Sequence, residues 1–223
     1  MSKHIFFVFS FFIMIIITGC SPVQENVIGH TESIEGVREI VIDFASTDVT
    51  FQPSDEGELE AYLTVYDDGP GVIADRSSRQ LSISLGSDMT RLLNLEKKPA
   101  LEVRIPRQFR GKVILDGASG NVSGHNLDHH QLDIRSSSGN VNLHFSELNN
   151  KVEIKTTSGN ASVVFDEEQP NVNLAIDTNS GRQSINLSLD KQSQSKKGLH
   201  GSAGDAGNKM IIQTKSGNIQ INE

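Results

Sequence analysis

The sequence predicts an all-β protein, specifically a parallel β-solenoid of stacked ~20-residue repeats with two main strands per rung. Two observations carry this. The tripeptide Ser-Gly-Asn recurs at Ser119–Asn121, Ser138–Asn140, Ser158–Asn160 and Ser216–Asn218, with a variant Ser180-Gly181-Arg182. Apolar residues also alternate at period two before every copy and after most of them, and the parity of that alternation changes across the tripeptide. Repeats of this size cannot bury an apolar face alone, so they must stack.

The elements follow in chain order. Lys3 gives a short positive start, and Ile5–Ile17 is apolar apart from Ser10. That run has the length of a signal-peptide core and is too short for a membrane span of ~20 residues. It ends in Ile17-Thr18-Gly19-Cys20, which resembles the bacterial lipoprotein signal: small residues admit a peptidase, and the only cysteine of the chain accepts the acyl groups. This resemblance implies a signal peptide over 1–19, cleavage between Gly19 and Cys20, and a Cys20 lipidated (palmitate-bearing) as the first mature residue. A plain secretory signal would instead leave a stray unpaired thiol. Residues 20–36 are polar, include Pro22 and Gly29, and read as a tether. The expected location is the cell membrane, anchored by lipid on its extracytoplasmic face.

The domain proper is expected over 37–223. In REIVIDFASTDVTF, Ser46 marks a diverged first corner, with Ile40 and Ile42 before it and Val49 and Phe51 after it. Ala61–Asp67, Arg79–Leu85 and Ala100–Pro106 are further alternating segments, and Leu92–Leu95 reads as a loop or one helical turn. From Ser119 onward the corner serines lie 19, 20, 22 and 36 residues apart. Six residues upstream of each stand Val113, Leu132, Val152, Leu174 and Met210; four upstream stand Leu115, Ile134, Ile154, Ile176 and Ile212. Downstream, Val122, Val141, Ala161, Gln183 and Ile219 occupy the third place, and Gly124, Leu143, Val163, Ile185 and Ile221 the fifth. A straight strand cannot change parity without turning its core residues outward, but a corner can. Gly120, Gly139, Gly159, Gly181 and Gly217 permit a positive φ there. Stacked corners would align Asn121, Asn140 and Asn160 into an amide ladder. The 36-residue gap is filled by Ser188–Lys209, expected as a polar loop that is either mobile or a cap over the last rung.

The repeated aliphatic-x-aliphatic-x3-S-G-N-aliphatic units, the Val103–Pro106 strand and the closing Thr214–Ile221 resemble the bacterial putative-adhesin family that includes LiaG-like envelope proteins. The resemblance runs from Ile40 to the C-terminus. It implies an extracytoplasmic β-solenoid without known enzymatic activity or catalytic residues, with a link to the envelope stress response. The sequence departs from the pattern at Ser46-Thr47-Asp48, at Arg182 and in the long insertion.

Chemistry is sparse. A net charge of −8 and the lack of a basic run exclude nucleic acid as a partner. No G-x-S-x-G elbow accompanies the repeated serines. His125 and His144 each follow a corner serine by six residues on the outward parity, next to His129 and His130. They are weak metal candidates, because zinc wants three or four ligands and no carboxylate completes the set; solvated surface histidines are the plainer reading. Gly201–Asn208 and Asp67–Gly71 lack calcium-loop spacing, Glu167 and Glu168 read as exposed loop charges, and no cofactor motif is present. The reading is therefore a non-catalytic, lipid-anchored envelope protein with a binding or scaffolding solenoid, its protein or envelope-polymer partner unidentified. A surface adhesin for an external ligand is the alternative. A β-helical carbohydrate-active enzyme is disfavoured by two Tyr and no Trp for stacking on sugars.

Overall fold

The computed structural model describes residues 25–66, 71–86, 98–129, 131–149 and 151–223. The signal segment, Gly19, Cys20, Leu92–Leu95, His130 and all but the last residue of Asp67–Gly71 lie outside them. The strands are β1 (Glu25–Ser33), β2 (Glu39–Ala45), β3 (Asp48–Ser54), β4 (Glu58–Tyr66), β5 (Val72–Arg76), β6 (Gln80–Leu85), β7 (Ala100–Pro106), β8 (Lys112–Gly117), β9 (Val122–Leu127) and β10 (Gln131–Ser138). They continue with β11 (Val141–Phe145), β12 (Lys151–Ser158), β13 (Ala161–Phe165), β14 (Val172–Ser180), β15 (Gln183–Asn186), β16 (Lys191–Gln194), β17 (Gly198–Ala203), β18 (Asn208–Ser216) and β19 (Ile219–Asn222).

Each rung contributes one strand to each of two sheets. Sheet I has the order β1-β4-β7-β3-β9-β11-β13-β19-β15, and sheet II the order β16-β17-β14-β18-β12-β10-β8-β2-β6-β5. Six rungs turn from sheet II to sheet I through a corner. A seventh, β6 to β7, makes the same passage through residues 86–99, which carry no Ser-Gly-Asn. The neighbours within this stack are parallel and in register, for example Leu132↔Val152 and Ile134↔Ile154. The predicted aliphatic positions therefore line a single core between the sheets. Ile40, Ile42, Leu115, Ile134, Val152, Ile154, Leu174 and Ile212 are all buried. Phe145 and Phe165, on adjacent strands, stack with ring centroids 5.8 Å apart. Each fully buried aliphatic contributes roughly 1.5–3 kcal/mol, so repetition supplies what no single rung could.

The structure adds the order of the rungs and corrects two expectations. The rungs do not stack in chain order: β18 lies between β12 and β14, and β19 between β13 and β15. The chain leaves a slot when it lays down β14 and β15, then returns to fill it with the last repeat. Ser188–Lys209 is not a loop. It holds β16 and β17, whose antiparallel pairing with each other and with β14 covers the edge of sheet II, as the cap alternative requires. Nor is 20–36 a tether throughout, because Glu25–Ser33 is β1, antiparallel to β4. Its only core-facing contribution is modest, with Ile28 partly buried, so its apolar alternation is too weak to announce a strand.

Candidate functional site

The predicted corner residues do come together, as a ladder along one edge of the sandwich. The Asn121 N–H and side-chain amide donate to Asp48 Oδ1 at 2.8 and 3.2 Å. Asn140 N donates to Asn121 Oδ1 (3.0 Å), Asn160 N to Asn140 Oδ1 (3.1 Å), Asn218 N to Asn160 Oδ1 (2.9 Å), and Arg182 N to Asn218 Oδ1 (2.9 Å). Each side chain thus caps the backbone of the next rung. Asp48 starts the ladder because a carboxylate oxygen accepts as an amide oxygen does, and Arg182 ends it because the last rung needs only its N–H.

The glycines are there for a different reason than the predicted one. Only Gly139 (φ 124°) and Gly159 (φ 153°) lie at positive φ. What all five share is close approach. A Cβ would stand 1.9 Å from Thr47 O at Gly120, 2.2 Å from Gly120 O at Gly139 and 2.0 Å from Gly139 O at Gly159. At Gly217 it would stand 1.9 Å from Gly159 O, and at Gly181 1.9 Å from Gly217 O. Each glycine sits against the corner carbonyl of the rung beneath. Thr47 begins this stack, where no corner glycine precedes it.

A second row escaped the sequence reading. Two residues before each corner serine stand Phe44, Gly117, Ser136, Thr156, Thr214 and Thr178. The last four are buried and polar, and their hydroxyls donate to corner carbonyls: Ser136 Oγ to Ser138 O (3.0 Å), Thr178 Oγ1 to Gly217 O (3.2 Å). At the other end of the row Phe44 fills the space of the missing Gly117 side chain, whose Cβ would lie 2.3 Å from the Phe44 ring. Ser138, Ser158, Ser180 and Ser216 end strands at exposed positions, and Ser119 stands exposed two residues past the end of β8. The corner is structural.

The surface with chemical character is the outer face of sheet II. Register places Lys112, Gln131, Lys151 and Lys209 in one row, Ile114, Asp133, Glu153 and Ile211 in the next, and Asp116, Arg135, Lys155 and Gln213 in a third. Asp133 accepts from Lys112 Nζ at 3.0 Å and from Arg135 Nη2 at 2.6 Å; Glu153 pairs with Lys151 Nζ at 2.9 Å and also with Lys155. The carboxylates lie on the floor, their side chains 8 % and 17 % exposed, while Arg135 and Lys155 are close to half exposed. Hydrogen bonds from Lys151 and Lys155 hold the Glu153 carboxyl down at about 2, below the usual carboxylate range. The same contacts raise Lys151, and Asp133 raises Arg135, so these cations stay charged. Beside them an open groove of about 430 Å³ crosses from β8 to β14, lined by Arg135, Ser137, Lys155, Thr157, Asn179 and Lys215, among others.

His125 and His144 do not come together as metal ligands. A bulge sets His125 and Asn126 together opposite His144, and the His144 ring engages Asp166 Oδ1 at 2.6 Å instead. Among the described residues no three His, Cys, Asp or Glu side chains are placed to share an ion. His129 is buried. On sheet I the Arg104 guanidinium lies 4.9 Å from the centroid of the Tyr62 ring, covering a face that a sugar would need.

The profile of the Toastrack DUF4097 family matches residues 108–222, the stretch that holds five of the six corners. The chain belongs to this family. Among solved structures, a "putative cell adhesion protein" from Clostridium sporogenes ATCC 15579 superposes with a TM-score of 0.68 at 14 % identity, over 89 % of this chain and 99 % of that one. A "putative adhesin" from Bacteroides fragilis NCTC 9343 is also similar, at 11 % identity over 88 % of this chain and 97 % of that one, with a TM-score of 0.41. The first of these shows that the two chains share a fold. No curated protein matches the chain.

Proposed function

We propose that this Toastrack protein is a non-catalytic, lipid-anchored component of the cell envelope whose solenoid serves as a binding and scaffolding surface. The outer face of sheet II is its contact site. The observation that supports this is the groove with its pre-ordered charges: a rigid, flat strand array offers a long contact surface without an enclosed pocket, and buried carboxylates hold its cations in place. Carboxylates engaged in this way are poor general acids or bases, which argues against the carbohydrate-active alternative.

Lipidation at Cys20 would place the domain against the membrane. Four residues separate Cys20 from β1, and fully extended they reach at most about 14 Å. This short reach favours a partner inside the envelope over the external ligand of an adhesin, the reading that the Clostridium neighbour's description suggests. The link to envelope stress rests on the family resemblance alone.

Photo-crosslinking in intact cells tests the proposal. A crosslinking residue at Thr157 on sheet II should trap an envelope component, and one at Ser162 on sheet I should not. Adducts from Ser162 alone, or from neither, refute the assignment. Palmitate labelling of the wild type, lost in Cys20→Ser, checks the anchor.

A further inference from the structure

We infer that the outer face of sheet II binds a linear polyanion, a chain bearing closely spaced phosphate or carboxylate groups. This rests on the reading of that face as the contact surface. The first argument is sign. The whole chain carries −8, yet the outward positions of β8, β10, β12 and β18 hold six cations, Lys112, Arg135, Lys151, Lys155, Lys209 and Lys215, against three carboxylates, Asp116, Asp133 and Glu153. Two of those carboxylates are on the floor beneath the cationic heads, so the surface presented to solvent is positive. These four strands thus form a positive strip, bounded by Glu39 and Asp43 on β2 and by Asp177 on β14, that attracts anions.

The second argument is order. Lysines and arginines on open surfaces lose side-chain freedom when they bind, which opposes association. Here Asp133 holds both Lys112 and Arg135, and Glu153 holds both Lys151 and Lys155. Much of that ordering is already present in the unbound protein.

The third is spacing and shape. Adjacent strands lie about 4.8 Å apart, so the groove across five strands is roughly 19 Å long. Arg135 and Lys155 are nearest neighbours across one strand interval, and Lys215 lines the same groove from β18. A chain laid along the stack would present successive anions to Arg135, Lys155 and Lys215 while Ser137, Thr157 and Asn179 donate to its oxygens. Asp116 and Asp177 flank the groove on β8 and β14 and confine the anions to the strands between.

A bilayer of anionic lipid has the same headgroup chemistry but fits less well. Among the described residues the exposed large apolar side chains are Val27 and Ile73, on β1 and on β5, the edge strand of sheet II at the opposite end of the stack, so none stands beside the groove to enter a membrane.

The test uses the full chain in nanodiscs of zwitterionic lipid, titrated with linear inorganic polyphosphate and with polygalacturonate. One variant carries Lys209→Glu and Lys215→Glu, exposed positions outside the two carboxylate clamps. A control carries Lys191→Glu and Lys196→Glu in the capping hairpin, with the same change of net charge. Binding of one or both polymers is expected, weakening as salt rises. Affinity should fall on the order of tenfold in the platform variant, as expected for reversing Lys215 in the groove, with Lys209 adding a longer-range repulsion on the same face. It should hold in the control. Whichever polymer binds more tightly identifies phosphate or carboxylate as the preferred group. Binding of neither polymer, equal loss in the control, or binding only to phosphatidylglycerol vesicles overturns the inference. If the polymers fail while Thr157 still yields adducts in cells, the ligand class is wrong and the contact surface stands; if both fail, the surface assignment falls as well.

Discussion

Gly217→Ala isolates the close approach of neighbouring corners from any question of backbone conformation. Gly217 is outside the positive-φ region, where alanine would ordinarily stabilise a protein by about 0.4–1 kcal/mol through the unfolded chain. Its Cβ would nevertheless stand 1.9 Å from Gly159 O, and an ordinary contact begins at 3.4 Å, so the rungs must part by about 1.5 Å. Three hydrogen bonds from backbone N–H groups cross that interface at the corner: Gly159 N to Ser216 O (3.1 Å), Ala161 N to Asn218 O (2.9 Å) and Asn218 N to Asn160 Oδ1 (2.9 Å). Opening by this amount takes all three out of range. At about 1 kcal/mol each, the loss is about 3 kcal/mol. Urea unfolding should show a lower midpoint at unchanged slope, and the melting temperature should drop by about 5–10 °C. Gly71, with no atom within 4 Å of its Cβ position and no positive φ, is the control, and Gly71→Ala should be neutral or slightly stabilising. A Gly217→Ala variant as stable as the wild type would refute the packing account of the corner.

Further outcomes follow from the ladder, the platform and the rung order. Asn140→Ala removes the acceptor for the Asn160 N–H and should cost about 0.5–1.5 kcal/mol in denaturant titration, whereas Asn140→Asp, which copies Asp48, should keep most of that stability. Because Glu153 titrates lower in the folded protein than unfolded, its contribution is fully present above the ordinary glutamate range and disappears as pH falls toward about 2. The stability gap between the wild type and Glu153→Gln should therefore be widest near neutral pH and close in acid; a gap independent of pH would contradict the clamp. Ending the chain after Ala203 removes the rung that joins β14 and β15 to the rest. Hydrogen exchange should then show residues 172–203 unprotected while β8–β13 remain slow.

The parity switch across Ser-Gly-Asn was enough to place the corners, because a side chain's face in a strand depends only on whether its position is odd or even. It was equally enough for the amide ladder, since parallel in-register rungs align equivalent residues. Rung order was not legible. Every rung offers the same aliphatic pattern to its neighbours, so local pattern cannot distinguish a last repeat added at the end from one inserted beside β12. The cap was hidden for the opposite reason: β16 is exposed along its whole length and carries no apolar alternation. The hydroxyl row at Ser136, Thr156, Thr214 and Thr178 was visible in principle, at core parity two residues before each corner, but polar residues at that parity read as the end of a strand. The platform reads in sequence as plain alternating charge, as in Lys151-Val152-Glu153-Ile154-Lys155. Only the register of four strands turns those charges into rows. The reason for the glycines likewise needed a neighbouring rung, because a clash between rungs leaves no trace in a single strand.

Lysine-reactivity footprinting tests the central claim, that the outer face of sheet II is where this protein meets its partner. Acylation of the anchored protein in intact cells is compared with that of the purified full chain, residue by residue, by mass spectrometry. Lys112, Lys151, Lys155, Lys209 and Lys215 should react more slowly in cells, while Lys191, Lys196 and Lys197 in and beside the capping hairpin should react at the same rate in both. Equal reactivity of the two groups in both settings, or protection of the hairpin lysines alone, would contradict it.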